Sequence, residues 1–186
     1  MIEAVFSLVR EGKIPPGADD VAERAGVSVS SLFRNFDGLQ DLQRQALERS
    51  QADFAGFFLV ADADEPRASR VRTHVEMRIE LLEAAGGLFR MGRSRALDHE
   101  VFVEGLARLR SKMADQTRMR FEAEIDQLTS AEAANLTALI DATTSPEVFD
   151  LMGAAHSRTP RQISKTWITA LDALLAQWVP NSEELP

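Results

Sequence analysis

The 186-residue chain contains no cysteine and no tyrosine. Without cysteine there is no disulfide framework and no thiolate metal site, which fits a reducing, cytoplasmic compartment. No G-x-S-x-G and no phosphate-cradling glycine loop occurs. The histidines, His74, His99 and His156, are widely spaced. Asp98-His99-Glu100 is the nearest approach to a metal cluster, but adjacent residues on a helix point in different directions. The expectation is no catalytic residue, no cofactor, no metal, and a protein that is not an enzyme. The longest apolar run, residues 54–61, is far too short to span a bilayer, and Glu3 and Glu11 around the first apolar pattern are wrong for a signal peptide. No membrane association is expected. Alternating strand patterns, internal repeats and low-complexity tracts are missing too.

What is present is helical periodicity almost throughout, and the fold class expected is all-α. Ala4, Val5, Leu8 and Val9 form the stripe of a first helix. After the Asp37-Gly38 turn a long helix is expected over about 39–61, and another over 67–84 that Gly86-Gly87 breaks before a short helix to Leu97. Asp98 is placed to cap a helix reaching about Gln127. Thr129 or Ser130, Ser145-Pro146 and Thr159-Pro160 are successive helix starts, two of them with proline at the first helical position. Pro180 is expected to end the last helix and the acidic tail after it to fray.

The most informative stretch is residues 19–36, DDVAERAGVSVSSLFRNF. Ala18, Val21, Ala22 and Ala25 share one helical face. Gly26 stops that helix, since glycine takes the left-handed conformation without steric cost. Ser28 is placed to N-cap the next helix, whose Leu32 and Phe36 share an inner face. Helix, short glycine turn and helix make a helix-turn-helix unit, although a corner in any all-helical core shares the pattern. The residues Ala22-Glu23-Arg24-Ala25-Gly26-Val27-Ser28 and Ser31-Leu32-Phe33-Arg34-Asn35-Phe36 resemble the DNA-binding signature of TetR-type bacterial transcriptional regulators. The likeness covers about the first quarter of the chain. It implies a three-helix DNA-binding head over residues 1–45 and a helical ligand-binding and dimerisation body over 46–186. It places Ser28, Val29, Ser30, Ser31, Phe33, Arg34 and Asn35 at the DNA. The sequence departs from that family's pattern in four places. A frequent recognition-helix tyrosine is Phe33 here, a lysine often opening the fourth helix is Leu39, and Val29 is no cation. The sequence begins within about two residues of the first helix, so the family's basic arm is expected to be missing.

The net charge of −8 is a poor footprint for a DNA binder, and its distribution does not rescue the head. Residues 1–50 hold six Arg or Lys against eight Asp or Glu, and residues 67–120 hold twelve against seven. The run Arg90, Arg93, Arg95, Arg108, Arg110, Lys112, Arg118 and Arg120 reads either as an anion site or as a solvated face paired with acids.

In the body, Phe57, Met77, Phe89, Phe102, Met113, Phe149, Met152 and Trp167 are candidates to line an adaptable apolar cavity, with His156 as its polar anchor. Most such residues in a helical body are plain core. Ile163, Trp167, Leu171, Leu174 and Trp178 form a stripe on the last helix that reads as a dimer interface; the alternative is packing on its own chain. Together these imply a dimeric, ligand-responsive regulator of operator DNA, most often a repressor in that family, released by a small-molecule effector. The alternative is a helical small-molecule-binding or interaction protein whose DNA binding is lost or weakened.

Overall fold

A computed structural model of the chain describes residues 1–179. The expected stop at Pro180 and the acidic tail lie outside them. The described residues are all-α, with no strand. In chain order they form α1 (Ile2–Arg10), α2 (Ala18–Ala25), α3 (Val29–Asn35), α4 (Gly38–Asp53), a 3-10 turn (Ala55–Phe58), α5 (Arg67–Ala96), α6 (Glu100–Arg120), α7 (Glu122–Ile125), α8 (Ser130–Thr143), α9 (Pro146–Ala154) and α10 (Pro160–Trp178). Among the described residues no helix is long and apolar enough to cross a membrane.

The starts follow cap chemistry. Thr129 Oγ1 accepts from the Glu132 amide while Glu132 reaches back to the Thr129 amide, and Thr159 with Gln162 repeats that box. Ser145 and Thr159 each precede a proline at the first helical position, where no amide hydrogen is needed. Three expected boundaries move. Helix α4 ends at Asp53 and gives way to the 3-10 turn. Helix α6 ends at Arg120, because the fully buried Phe121 leaves helical geometry at φ −110°, ψ 25°. Helix α5 runs unbroken through Gly86-Gly87.

Two compact units result, neither continuous in sequence. The first is Met1–Gly56 with Ala84–Arg110, and the second is Phe57–Glu83 with the described residues from Ser111 onward. The expected division at residue 46 is contiguous and falls inside α4, so it does not coincide with these units. The chain returns to the first unit because Leu88 and Met91 of α5 complete its core of Val5, Leu8, Val9, Val21, Leu32, Leu42 and Ala46.

Gly87 explains its own presence in a helix interior. A Cβ there would lie 2.5 Å from the Val9 carbonyl oxygen and 2.9 Å from its carbon, so α5 meets the backbone of α1. Gly87→Ala should lower the melting temperature, since overpacking against backbone costs about 1–3 kcal/mol and the helix-propensity gain returns only about 1 kcal/mol. At Gly86 an added Cβ would meet only the Arg90 side chain, at 3.5 Å. Gly86→Ala should therefore melt no lower than the parent, and equal melting of the two variants would refute the close approach.

The second unit is built on Val71, Val75 and Ile79 of α5, Met113 of α6, Phe121, Leu136 and Ile140 of α8, and Ile163, Trp167, Leu171 and Leu175 of α10. This corrects the interface expected on α10. Ile163, Trp167 and Leu171 are at most 1% exposed within their own chain. Helices α8 and α10 pack together and use that stripe, leaving only Leu174 and Trp178 of the expected set half-buried.

Candidate nucleic-acid interface and a buried polar cluster

Helix α2 ends at Gly26 in the left-handed conformation, φ 67° and ψ 32°, which turns the chain within three residues. Ser28 caps α3 by accepting the Ser31 amide at 3.2 Å. Leu32, fully buried, and Phe36, half-buried, fasten α3 to the first unit's core. That anchoring fixes the rotation of α3 and presents Ser28, Ser30, Phe33, Arg34 and Asn35 to solvent, with Val29 and Ser31 half-buried. Phe33 is 54% exposed. The outer row is tied together: Arg34 Nη2 donates to Ser31 Oγ at 2.7 Å, and Asn35 Nδ2 donates to the Ser31 carbonyl at 2.7 Å. Leu39, by contrast, is half-buried against the same core, so its position is structural.

The cations flanking α3 are largely engaged with acids. Arg24 forks onto Glu11 through two bonds of 2.6 Å, Lys13 reaches Asp20, Arg44 bridges Asp41 and Glu48, and Arg49 reaches Glu3. The Arg24 guanidinium holds the Glu11 carboxyl below its ordinary value, and the bond from Lys13 does the same for Asp20. Arg34 is the one charged residue of α3.

The nine candidates for an apolar cavity are divided between the two units. Phe89 and Phe102 belong to the first unit's stretch of chain and are buried there; the other seven candidates belong to the second. Met113 and Trp167 are core, and Phe57, Met77, Phe149 and Met152 are half-buried. Phe149 and Trp167 meet as rings, at 6.2 Å between centroids. His156 is exposed beyond the end of α9, so it is no buried anchor.

What the second unit gathers instead is polar. Arg70, His74 and Arg78 stand four residues apart along α5, and Gln116, Arg120 and Glu124 repeat that spacing across α6 and α7. All six are buried. Glu124 accepts Arg70 through both oxygens, at 2.6 and 2.7 Å, and Arg67 at 3.0 Å. Arg78 Nη2 donates to the Met113 carbonyl at 2.8 Å and to Asp141 Oδ1 at 3.1 Å, where Thr117 Oγ1 also donates at 2.6 Å. Arg120 Nε donates to Asp62 Oδ1 at 2.9 Å. His74 packs on Phe121, 5.4 Å between centroids.

Burial, with Arg78 and Arg120 adding repulsion, pushes the His74 imidazole well below its ordinary value and keeps it neutral. Burial also lowers the Arg78 guanidinium to about 10 and raises the Asp141 carboxyl despite its Thr117 and Arg78 bonds. The signal for this cluster was in the sequence. Polar residues recur every fourth position beside the inward stripes Val71-Val75-Ile79 and Met113-Phe121.

No protein-family model matches the chain, and no curated protein sequence matches it. Most of the arginine run is partnered. Arg108 and Arg118 lie beside Glu104 and Asp115, Arg95 donates to Gln43, and Arg90, Arg93, Arg110 and Lys112 also have partners. Arg120 alone of that run enters the buried cluster.

Proposed function

We propose that the chain is a dimeric, ligand-responsive transcriptional regulator of the TetR kind, with α3 as the helix that enters the DNA major groove. The observation that carries this reading is the anchoring of α3. Leu32 is buried while Ser30, Phe33, Arg34 and Asn35 project outward from a glycine-turned, serine-capped helix. A major-groove reader needs small and hydrogen-bonding side chains at that end. An exposed phenylalanine beside Arg34 also suits a surface that is covered in use. In this reading two copies place their α3 helices about 34–36 Å apart on a two-fold operator. A ligand in the body releases DNA through its differential affinity for the two states. Leu139 on α8 and Leu174 and Trp178 on α10 are the larger side chains these helices leave for a second copy.

The test is a salt titration of binding to DNA taken from beside this protein's own gene, with light scattering of the free protein. A sequence-specific, salt-dependent complex of two chains is expected; salt-independent or undetectable binding would overturn the reading. The second reading, a helical ligand binder that has lost DNA binding, is favoured by the pairing of Arg24, Lys13, Arg44 and Arg49 with acids. Such pairing leaves fewer charges for phosphates.

Phe33→Tyr separates the two. The ring is over half exposed, so a hydroxyl adds no strain. A hydrogen bond to a charged group is worth about 1.5–3 kcal/mol at best and less at a wet surface. DNA affinity should rise several-fold and nearly independently of sequence, because phosphate contacts position rather than specify. Unchanged affinity with normal folding would mean α3 does not dock in this pose.

A further inference from the structure

We infer that the second unit holds a binding site for a small organic carboxylate at Arg78, Arg120 and His74, covered in this structure by residues 57–62. The first observation is a set of orphaned polar atoms. Arg78 Nε and Nη1, Arg120 Nη1 and both ring nitrogens of His74 are buried and have no hydrogen-bond partner. Buried polar groups are almost always satisfied, and those that are not point to an absent water, ion or ligand. Five such atoms on three side chains, which also act on one another electrostatically, are too many for chance packing defects.

The second observation is charge. Arg78 pairs with Asp141 and Arg120 with Asp62, one carboxylate to each guanidinium, while Glu124 alone serves Arg67 and Arg70. A ligand that takes the place of Asp62 keeps that balance if it carries one negative charge, which favours a carboxylate over a dianionic phosphate. The spare donors sit on guanidinium groups, which hold carboxylate oxygens through charge-assisted hydrogen bonds.

The third observation is the cover. Residues 57–62 are tied to Gln116 and Arg120. The Phe57 carbonyl accepts Gln116 Nε2 at 2.5 Å, the Leu59 carbonyl accepts Arg120 Nη2 at 3.4 Å, and Asp62 Oδ1 accepts Arg120 Nε. Asp62 Oδ2 is buried and unpaired. The chain's own carboxylate therefore occupies Arg120 one-armed, as an internal placeholder that a two-armed carboxylate would outcompete. Met77, whose sulfur lies 3.2 Å from Arg120 Nη2, and Phe121 beside His74 offer an apolar neighbourhood. The ligand class is thus a carboxylate with an apolar tail.

Its role as the effector rests on the regulator reading; its binding does not, and it is measured without DNA. The full chain is titrated with straight-chain carboxylates from acetate to octanoate, and with the alcohols of equal length. Melting temperature and tryptophan fluorescence are the readouts. Octanoate should stabilise the protein saturably where octanol does not, and Asp62→Asn, which removes the placeholder charge, should bind octanoate at least about tenfold tighter by the loss of a competing ion pair. Arg120→Gln should lose binding; if it does not fold, Asp62→Asn decides alone. Equal shifts with octanol and octanoate, or an Asp62→Asn variant with unchanged octanoate affinity, would overturn the site. Failure of the operator titration leaves each of these outcomes readable.

Discussion

Glu124→Gln should destabilise the second unit by about 3–5 kcal/mol, the cost of breaking a buried ion pair from one side. The Glu124 side chain is 3% exposed, and its two oxygens serve three guanidinium bonds from Arg67 and Arg70. Glutamine keeps one acceptor and turns an amide N–H₂ toward arginine donors. Arg70, 5% exposed, would keep its bonds to the Glu65 and Arg120 carbonyls but lose its counter-charge, and the cluster's excess of positive charge would double. The pH dependence checks the cause. Burial pushes the Glu124 carboxyl up, but the bonds from Arg70 and Arg67 outweigh it and leave the group below its ordinary 4.5. A folded value below the unfolded one gives stability that is present above about pH 4.5 and lost as pH falls through the lowered value. Over that window each unmatched proton changes stability by about 1.4 kcal/mol per pH unit. Denaturant melts should therefore show the variant far weaker at pH 7 and its acid limb shallower by one proton. A variant within about 1 kcal/mol of the parent at pH 7, or with an identical acid limb, would mean that Arg67 and Arg70 do not depend on Glu124.

The parts of the fold that could be read from the sequence are those that local chemistry decides. Ser28, Thr129, Ser145 and Thr159 cap helices where their side chains and the following prolines or glutamates say they should. Gly26 turns where a left-handed residue is needed. The misplaced features depend on partners far along the chain. Gly86-Gly87 reads as a break until Val9 is seen against Gly87. The Ile163-Trp167-Leu171 stripe reads as a free face until α8 lies on it. Phe89 and Met113 share the same helical rhythm, yet they belong to different units. The buried cluster was the hardest to see, because Arg70, His74 and Arg78 taken alone look like a solvated helix edge. Only the facing row Gln116-Arg120-Glu124 gives them a reason to be inside.

Arg34→Ala should produce the largest change in DNA binding of any single substitution on α3. It is the helix's one charge, it is exposed, and its guanidinium already lies along the outer row by donating to Ser31 Oγ at 2.7 Å. An arginine that reads a base or clamps a phosphate is worth about 1–3 kcal/mol. A two-fold complex would lose it twice, about 2–6 kcal/mol, or roughly 30-fold to more than 10⁴-fold in affinity. Folding should be spared. The Ser31 amide still reaches the Ser28 cap, Leu32 stays buried, and surface changes of this kind stay within about 0.5 kcal/mol. The pattern of loss assigns the contact. A base contact would remove specific binding and leave non-specific binding nearly intact. A phosphate contact would weaken both equally and reduce the log–log salt slope by about one for each arginine removed. Operator and scrambled duplexes, each measured at two salt concentrations beside a thermal melt, distinguish these. If the variant melts like the parent and binds both duplexes as tightly, α3 is not the DNA-reading helix, and the paired cations around it mark a head that no longer serves DNA.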